Sequence, residues 1–375
     1  MTRDGRTVVI WRSHLLAGSE TFVRNHGAAL ARWRPVYLGA VKVNSAIAAD
    51  GDVIVYPGSL RGRADFLRLR VTGSSPRLRA RLAELRPAVV HAHFGNDGWL
   101  VSHAAARLGV PLVVTLHGYD VTRLPGVPGW RGARYRRNLR QVFDRASVVL
   151  AVSEFIRDRA VALGADPAKV RVHYTGVPVP PLPDATPKRW DLLFVGRFVE
   201  KKGVDDLVEA VGRLDGLRPR VLFVGDGPLW EPVRRRAAAL GLDATFLGAQ
   251  EPAAVRRYMT EAKVFVSPSK TAANGESEGL PTTILEAATV GVPTVSTYHS
   301  GIPEAVRHGE TGLLGAEGDR AALAANLRRL LTDDDLRVRL GDRARRHVAA
   351  HFDLATQSRR LEELYDRLRV GTVPG

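Results

Sequence analysis

The sequence predicts an α/β protein made of two doubly wound domains, each built on a parallel β-sheet. At 375 residues the chain is longer than one hydrophobic core usually supports. Short apolar runs alternate with longer segments rich in Ala, Leu and Arg, as strands and helices do in parallel βα units. Segment 178–187 interrupts this alternation with five prolines, which exclude a helix and a central strand, so we place the linker there.

The apolar runs give the predicted strands in order. In the first half they are 7–11, 53–56, 89–93, 112–116 and 148–152. In the second half they are 192–195, 221–224, 245–247, 264–266 and 294–296. The predicted domains are 1–180 and 188–352, followed by a tail, 353–375, that contains an amphipathic helix over 355–369. Ligands of such sheets bind beyond the carboxyl ends of the strands, so a cleft between two facing domains is the expected site.

The positive charge is concentrated in the first half of the chain. Of the net +16, residues 1–185 carry 27 Lys+Arg and 13 Asp+Glu, a difference of +14, whereas the rest carries 28 and 26, a difference of +2. This asymmetry predicts that the first domain faces an anionic membrane surface or another polyanion, although a solvated helix face is a competing explanation. The candidate contacts are Arg61, Arg63, Arg68, Arg70, Arg77, Arg79, Arg81, Trp130, Arg131, Arg134, Tyr135, Arg136, Arg137 and Arg140.

Composition limits the compartment and the chemistry. No apolar run approaches the roughly 18 residues of a membrane span, and the start shows no secretory signal. The chain has no cysteine, which excludes disulfides, thiolate zinc sites and cysteine nucleophiles. We therefore expect a cytoplasmic protein that is peripheral at the inner face of the cytoplasmic membrane.

The segment 277–287 is the most informative stretch of the chain. It follows a buried-strand run, and Gly279 and Pro281 are turn residues. Thr282 or Thr283 is predicted to cap the helix that follows. The first-turn N–H groups of a helix have no intrahelical partner and favour an anion, so this helix start suits a diphosphate.

Two carboxylates flank that helix start. Glu286 lies about one turn inside the helix, where two oxygens can accept hydrogen bonds from the adjacent hydroxyls of a ribose. Glu278, in the preceding loop, is placed to hold sugar hydroxyls. The block continues through 287–293, a strand at 294–296, Ser300–Val306 and Gly309–Leu314.

In this setting, the two glutamates separated by seven residues resemble the motif of the family-4 retaining glycosyltransferases, and most of the chain is similar to that family. Ser-Glu-Thr-Phe at 19–22 resembles the members that assemble exopolysaccharides or colanic acid. The resemblance implies the GT-B fold, with the tail helix packed back on the first domain. It also implies transfer of a sugar, with retention, from a nucleoside diphosphate to a hydroxyl of a glycan or lipid-linked acceptor. Gly279, Leu280, Pro281 and Thr282 then belong to the donor site.

A glycine turn with two cations follows the strand at 192–195. Gly196 opens it, and Arg197 and Lys202 stand five residues apart. Together they can stabilise the negative charge that grows on a leaving nucleoside diphosphate, and they match the family's Arg and Lys. Gly225 and Asp226 resemble the family's loop near the nucleotide, and a tight structural turn explains them nearly as well.

In the first half, His117 and Asp120 lie at a strand's carboxyl end. Family-4 enzymes have a similar His-Gly-x-Asp segment at the sugar, which implies that His117 hydrogen-bonds the transferred sugar. Asp120 then orients His117 or helps to deprotonate the acceptor hydroxyl. His93 and Phe94, at another strand end, are expected on the acceptor side or in structural packing.

Two further positions are weaker matches. Gly18 follows the first strand, where the backbone must approach phosphate or sugar closely, but relatives often have two adjacent glycines and this chain has Ala17-Gly18. Ser153 matches a family Ser-Glu pair and can equally cap the next helix.

Other functions are less consistent with the sequence. A nucleotide-sugar epimerase of the same fold is the main alternative. A basic nucleic-acid binder lacks a recognisable groove-reading module, and Glu278 and Glu286 would repel a polyanion. Neither half has a GxGxxG dinucleotide fingerprint after its first strand, and no Asp-x-Asp cluster follows a strand. We therefore expect no cofactor and no metal, with the nucleotide sugar as co-substrate.

Overall fold

The computed structural model describes residues 6–16, 20–45, 47–181 and 186–371. The chain divides into two compact units, one of residues 1–176 with 354–375 and one of residues 177–353. The predicted domains are 1–180 and 188–352, whereas this division falls between residues 176 and 177 and between residues 353 and 354. Among the described helices, none combines the length and apolar character that crossing a bilayer requires.

The elements alternate as parallel βα units do. The strands are β1 Thr7–Leu15, β2 Arg34–Lys42, β3 Val53–Ile54, β4 Val89–His93, β5 Leu112–Leu116, β6 Val148–Ala151, β7 Val170–Val172, β8 Trp190–Val195, β9 Val221–Val224, β10 Ala244–Leu247, β11 Ala262–Ser267, β12 Thr294–Thr297 and β13 Gly312–Gly315. The α-helices are α1 Thr21–Ala28, α2 Leu60–Thr72, α3 Pro76–Leu85, α4 Gly95–Arg107, α5 Gly129–Arg145, α6 Glu154–Ala162, α7 Val204–Val211, α8 Trp230–Ala239, α9 Pro252–Glu261, α10 Thr282–Thr289, α11 Ile302–Ala305, α12 Arg320–Thr332, α13 Asp334–His351 and α14 Leu354–Val370.

Each unit contains one fully parallel sheet, so the predicted doubly wound α/β class is confirmed. Within the described residues, the first sheet has the order β3-β2-β1-β4-β5-β6-β7 and the second has the order β10-β9-β8-β11-β12-β13. Strands β4 and β5 are buried along their whole length, because helices cover both faces of such a sheet. The loops after the strands therefore gather at one edge of each sheet, where a ligand site is expected.

The last helix, α14, completes the core of the first unit. Leu361, Leu364 and Tyr365 pack with residues of β1, β4 and β6 in one buried cluster. Glu362, also buried, accepts hydrogen bonds from the backbone N–H groups of Arg32 (2.6 Å) and Trp33 (3.1 Å). The tail is thus fixed to this unit by apolar burial and by a satisfied carboxylate.

Three histidines in the first unit are neutral, of which His26 and His91 are buried and His173 is half-buried. Burial lowers the pKa of His26 to about 4, and that of His91 and His173 to about 3. The Nε2 atom of His26 accepts a hydrogen bond from the backbone N–H of Gly176 at 3.1 Å, which requires that nitrogen to be unprotonated. Protonation of His26 would break this bond and place a charge in the core.

We predict that acid destabilises the first unit through these histidines. A histidine titrates near 6.5 in the unfolded chain, so below that pH the unfolded state binds more protons and the free energy of unfolding falls until the folded pKa is reached. For His26 alone, the loss between pH 7.5 and pH 5 is about 2 kcal/mol. In urea unfolding, His26→Asn should show a smaller loss than wild type, whereas Asn25→Ala, at an exposed neighbouring position, should keep the full loss. An unchanged loss in His26→Asn would contradict this account.

Candidate functional site

The start of helix α10 is open to an anion. Its N-cap residue is Pro281, in an extended conformation, and among the described residues no side chain caps the helix end. The prediction that Thr282 or Thr283 caps this helix is wrong, because both threonines lie inside the first turn and the capping position holds a residue without a hydroxyl. The Ile284 N–H donates to the Pro281 carbonyl at 3.2 Å, so the first-turn N–H groups that stay available are those of Thr282 and Thr283, which bond to none of the described residues. The helix dipole favours a negative charge beside them.

A buried ion pair lies in the loop before α10. Glu278 is about 7% exposed, and its Oε1 atom is 3.1 Å from Lys202 Nζ and 3.7 Å from Lys201 Nζ. Burial alone would raise the pKa of Glu278, but the two lysines outweigh it and lower the pKa to about 2. Glu278 is therefore ionised at neutral pH, and it holds Lys202 at the strand ends of this sheet.

Arg197 and Glu286 each bring an unpaired charge. Arg197 is exposed, and within the described ranges its guanidinium forms no ion pair. Glu286 is half-buried one turn inside α10, and its carboxylate has no hydrogen bond or ion pair to the described residues. Burial raises the pKa of Glu286 above its usual value, and Arg256 opposes the rise. Because the Glu286 carboxylate has no partner among the described residues, both of its oxygens can accept hydrogen bonds from a ligand.

The turns after β8 and β9 touch through their backbones. Gly225 has a φ of 129°, and a Cβ atom there would lie 2.0 Å from the carbonyl oxygen of Gly196. Phe198 N–H donates to the carbonyl of Asp226 at 2.6 Å, while the Asp226 residue itself is exposed. Only glycine fits at position 225. The alternative prediction, that Gly225 and Asp226 form a tight structural turn, therefore has a clear physical basis.

His299 positions Glu278 and was missed in the sequence. Its Nε2 atom accepts a hydrogen bond from the backbone N–H of Glu278 at 3.1 Å, so the proton must be on Nδ1, which faces Glu317 Oε1 at 2.6 Å. Ser300, with a φ of 50°, donates its hydroxyl to the Glu278 carbonyl. Gly301 N–H donates to the carbonyl of Gly279 at 3.2 Å, and Leu280 is buried. The loop is therefore fixed by the residues after β12, a long-range arrangement that motif spacing does not reveal.

In the first unit, His93 and His117 form a hydrogen-bonded pair. His93 Nδ1 lies 3.0 Å from His117 Nε2, and the two rings stack. Burial lowers the pKa of both well below the usual value, so the pair is neutral. Phe94 packs on His117 with ring centroids 4.5 Å apart, and it has a φ of 71°, which is strained for a residue with a side chain.

Asp120 holds the loop and is not free to act as a base. Its buried carboxylate accepts hydrogen bonds from the backbone N–H groups of Gly95 (3.0 Å), His117 (3.1 Å) and Gly118 (2.8 Å). The expected deprotonation of an acceptor hydroxyl by Asp120 is therefore corrected to a positioning role. The pKa of Asp120 is raised by burial, against the effect of these hydrogen bonds.

The two weaker positions have different outcomes. Ser153 Oγ accepts the backbone N–H of Ile156 at 3.3 Å and so caps α6, which is the structural alternative for this buried residue. Gly18 lies outside the described residues.

A buried charge network beside these histidines was also missed. Arg12 Nε donates to Glu20 Oε2 at 3.0 Å, and Arg12 Nη1 donates to Asp97 and to the carbonyl of His93. Asp97 also accepts the backbone N–H of Ser13 at 2.8 Å. Glu20 lies in the Ser-Glu-Thr-Phe segment noted in the sequence. Its partner Arg12 is on the preceding strand β1 and in turn contacts His93 and Asp97, which are more than 80 residues away, so spacing alone gave no role for Glu20.

Comparison with known proteins identifies relatives over most of the chain. Residues 16–179 match the sequence profile described as Glycosyltransferase Family 4, and residues 183–347 match that of Glycosyl transferases group 1. The amylovoran biosynthesis glycosyltransferase AmsK of Erwinia amylovora is 31% identical over 74% of this chain and 69% of its own length. The putative colanic acid biosynthesis glycosyltransferase WcaL of Escherichia coli K12 is 32% identical over 76% of this chain and 71% of its own length.

Solved structures share the fold. HepE from Anabaena, crystallised in complex with UDP, superimposes with a TM-score of 0.79 at 18% identity, covering 96% of this chain and 99% of that one. Sucrose-phosphate synthase from Thermosynechococcus elongatus gives 0.78 at 21% identity, covering 98% and 100%. The predicted GT-B class, with two Rossmann-like domains, is confirmed. The epimerase and nucleic-acid alternatives are not favoured by these relatives.

We predict that Gly225→Ala strongly destabilises the second unit. The new methyl group would collide with the Gly196 carbonyl, and alanine would be strained at this φ, so the free energy of unfolding should fall by more than about 2 kcal/mol. Gly248→Ala is the matched control, because a Cβ there meets nothing within 4 Å and its φ is not positive. Equal urea midpoints for the two variants would contradict the contact.

Proposed function

Because this chain belongs to the group 1 and family 4 glycosyltransferases, we propose that it transfers a sugar from a nucleoside diphosphate to a hydroxyl of a glycan acceptor in exopolysaccharide synthesis. The observation that carries the donor assignment is the uncapped start of α10 between the ionised Glu278 and the unpaired Glu286. AmsK and WcaL, whose names assign them to exopolysaccharide or colanic acid biosynthesis, support the glycan class.

The donor site has a separate group for each part of the nucleotide sugar. We assign the diphosphate to the first-turn N–H groups of α10, with Arg197 and Lys202 as counter-charges. Glu286 accepts hydrogen bonds from the ribose hydroxyls, and Glu278 accepts them from the transferred sugar. UDP is the first nucleotide to test, because the related HepE structure contains it.

Charge stabilisation is the main catalytic contribution of this site. As the bond between the sugar C1 atom and the diphosphate oxygen breaks, negative charge grows on the leaving group, where Arg197, Lys202 and the helix N–H groups lower its energy. These groups supply the charge compensation that a metal ion often gives, so we propose that the enzyme needs neither a metal nor a resident cofactor.

We propose transfer with retention by attack on the face that the diphosphate leaves. The acceptor oxygen bonds to C1 and its proton passes to the departing diphosphate oxygen, so no protein base is required. This agrees with the occupied carboxylate of Asp120. The neutral His117 is assigned a hydrogen bond to the transferred sugar, and His93 and Phe94 are assigned to the acceptor side.

Two substitutions test the donor site. Glu286→Ala should weaken nucleotide binding about tenfold, because the ribose loses a charged hydrogen-bond acceptor. Arg197→Ala should reduce kcat by about 100-fold with little effect on folding, because its guanidinium acts on the leaving group. Calorimetric titration with UDP, and turnover of the donor that binds best, measure the two effects.

The matched controls are Glu251→Ala, at an exposed position before α9, and Arg213→Ala, at an exposed position after α7. Both should resemble wild type. Near-normal binding in Glu286→Ala together with near-normal turnover in Arg197→Ala would refute the site.

We also propose that the acceptor is lipid-linked and that helix α2 rests on an anionic membrane surface. Leu60, Leu67 and Val71 are 84%, 60% and 56% exposed. Their spacings of seven and eleven residues place them on one helical face, since each spacing is close to a whole number of turns. Arginines flank this face, as is typical of a helix that lies in a membrane interface.

Vesicle sedimentation tests the membrane surface. Leu60→Ser combined with Leu67→Ser should lower binding to phosphatidylglycerol-containing vesicles at least about fivefold, because the apolar contact is removed while the charge is kept. Val338→Ser combined with Val370→Ser removes exposed apolar side chains elsewhere and should leave binding unchanged. Equal losses in the two double variants, or no vesicle binding by wild type, would overturn this proposal.

A further inference from the structure

The first unit contains a cavity of about 510 Å³ to which the proposed function gives no ligand. It lies between the end of β1 and the helices α2, α4 and α5. Its lining residues include Ser13, Phe66, Arg70, Trp99, Arg134 and Asn138. The cavity also reaches Gly95 and Asn96, which directly follow the predicted acceptor-side residue Phe94.

The lining combines apolar rings with positive charge. Phe66 and Trp99 give flat surfaces that suit the apolar face of a sugar ring. Arg70 and Arg134 bring two guanidinium groups, and none of the lining residues carries a carboxylate to neutralise them. This composition favours a ligand that has both a ring and a negative charge.

Arg134 is held in place before any ligand binds. Its Nη2 atom donates to the backbone carbonyls of Arg70 (2.6 Å) and Val71 (3.1 Å), which ties the end of α2 to α5. The guanidinium lies over the Trp99 ring, with its Cζ atom 5.8 Å from the ring centroid. Nε and Nη1 donate to none of the described residues, so the guanidinium is already oriented for an anion.

Asn138 supplies a second, independent indication of a polar ligand. Its side chain lines the cavity and is only 9% exposed, yet Oδ1 has no hydrogen-bond partner among the described residues. A buried acceptor without a donor is costly, and rotation of the Asn138 amide toward the cavity would let a ligand hydroxyl satisfy Oδ1.

We propose that this cavity is an acceptor subsite for a sugar unit bearing an anionic group, either a carboxylate or a phosphate. Arg70 and Arg134 bind the anion, the rings of Phe66 and Trp99 contact the sugar, and Asn138 accepts a hydroxyl hydrogen bond. The inference rests on the proposed function, because it identifies the class of glycan that the transferase accepts.

Ligand-observed NMR titration with three small glycosides tests the subsite. Methyl β-glucuronide carries a carboxylate, glucose 6-phosphate carries a phosphate, and methyl β-glucoside is the neutral counterpart. At least one charged probe should bind about ten times more tightly than the neutral one, since a hydrogen-bonded ion pair adds roughly that factor. Preference for the carboxylate indicates an acidic sugar, and preference for the phosphate indicates a phosphorylated or phosphate-linked one.

Arg70→Gln should remove most of this preference, because Arg70 is exposed and its loss should not disturb the core. Arg137→Gln makes the same charge change on the exposed side of α5 and should keep the preference. Equal binding of all three probes, no binding of any, or equal effects of the two variants would overturn the proposal. UDP titration of the same samples separates this result from the donor site, because UDP binding should persist whatever the glycosides do.

Discussion

The ion pair between Glu278 and Lys202 is the interaction on which the organisation of the donor site depends. It joins the turn after β8 to the loop before α10, and His299, which follows β12, fixes the same loop through the backbone of Glu278. Three loops at one edge of the sheet are therefore held together at one residue, Glu278, through its ionised carboxylate and its backbone N–H. Removing a partner from a buried pair leaves an uncompensated charge, so the arrangement is stable only as a whole. The Glu278–Lys202 pair also leaves the N–H groups at the start of α10 uncovered, and an anionic ligand needs such groups to bind.

The strands were predicted well where the sequence reports burial directly. Runs such as Val89–His93 and Leu112–Leu116 are buried on both faces and form strands with the predicted limits. Strand β2 was not predicted because Pro35, Gly39 and Ala40 interrupt its apolar pattern. Strand β13 was not predicted because it begins and ends with glycine. The partners of individual side chains were harder to predict from the sequence. The occupied carboxylate of Asp120 and the link from His299 to Glu278 arise from contacts between distant strands, which local spacing does not encode.

In the proposed function, the two units divide the tasks in a way that agrees with their charges. The second unit, nearly neutral, concentrates a few paired and unpaired charges at α10. The first unit carries most of the positive charge, places arginines around the exposed apolar face of α2, and uses buried neutral histidines and the Arg12 network to shape its strand ends. Since α2 also lines the cavity, the proposed membrane surface and the proposed acceptor subsite share this helix. Such an arrangement suits an acceptor whose glycan is attached to a lipid.

The most direct test is a crystal structure of the protein with whichever of UDP, GDP, ADP or dTDP binds most tightly. The account predicts that the diphosphate contacts the first-turn N–H groups of α10 and the side chains of Arg197 and Lys202, with the ribose hydroxyls bound to Glu286. A nucleotide bound away from α10, or no binding of any of the four, would contradict it.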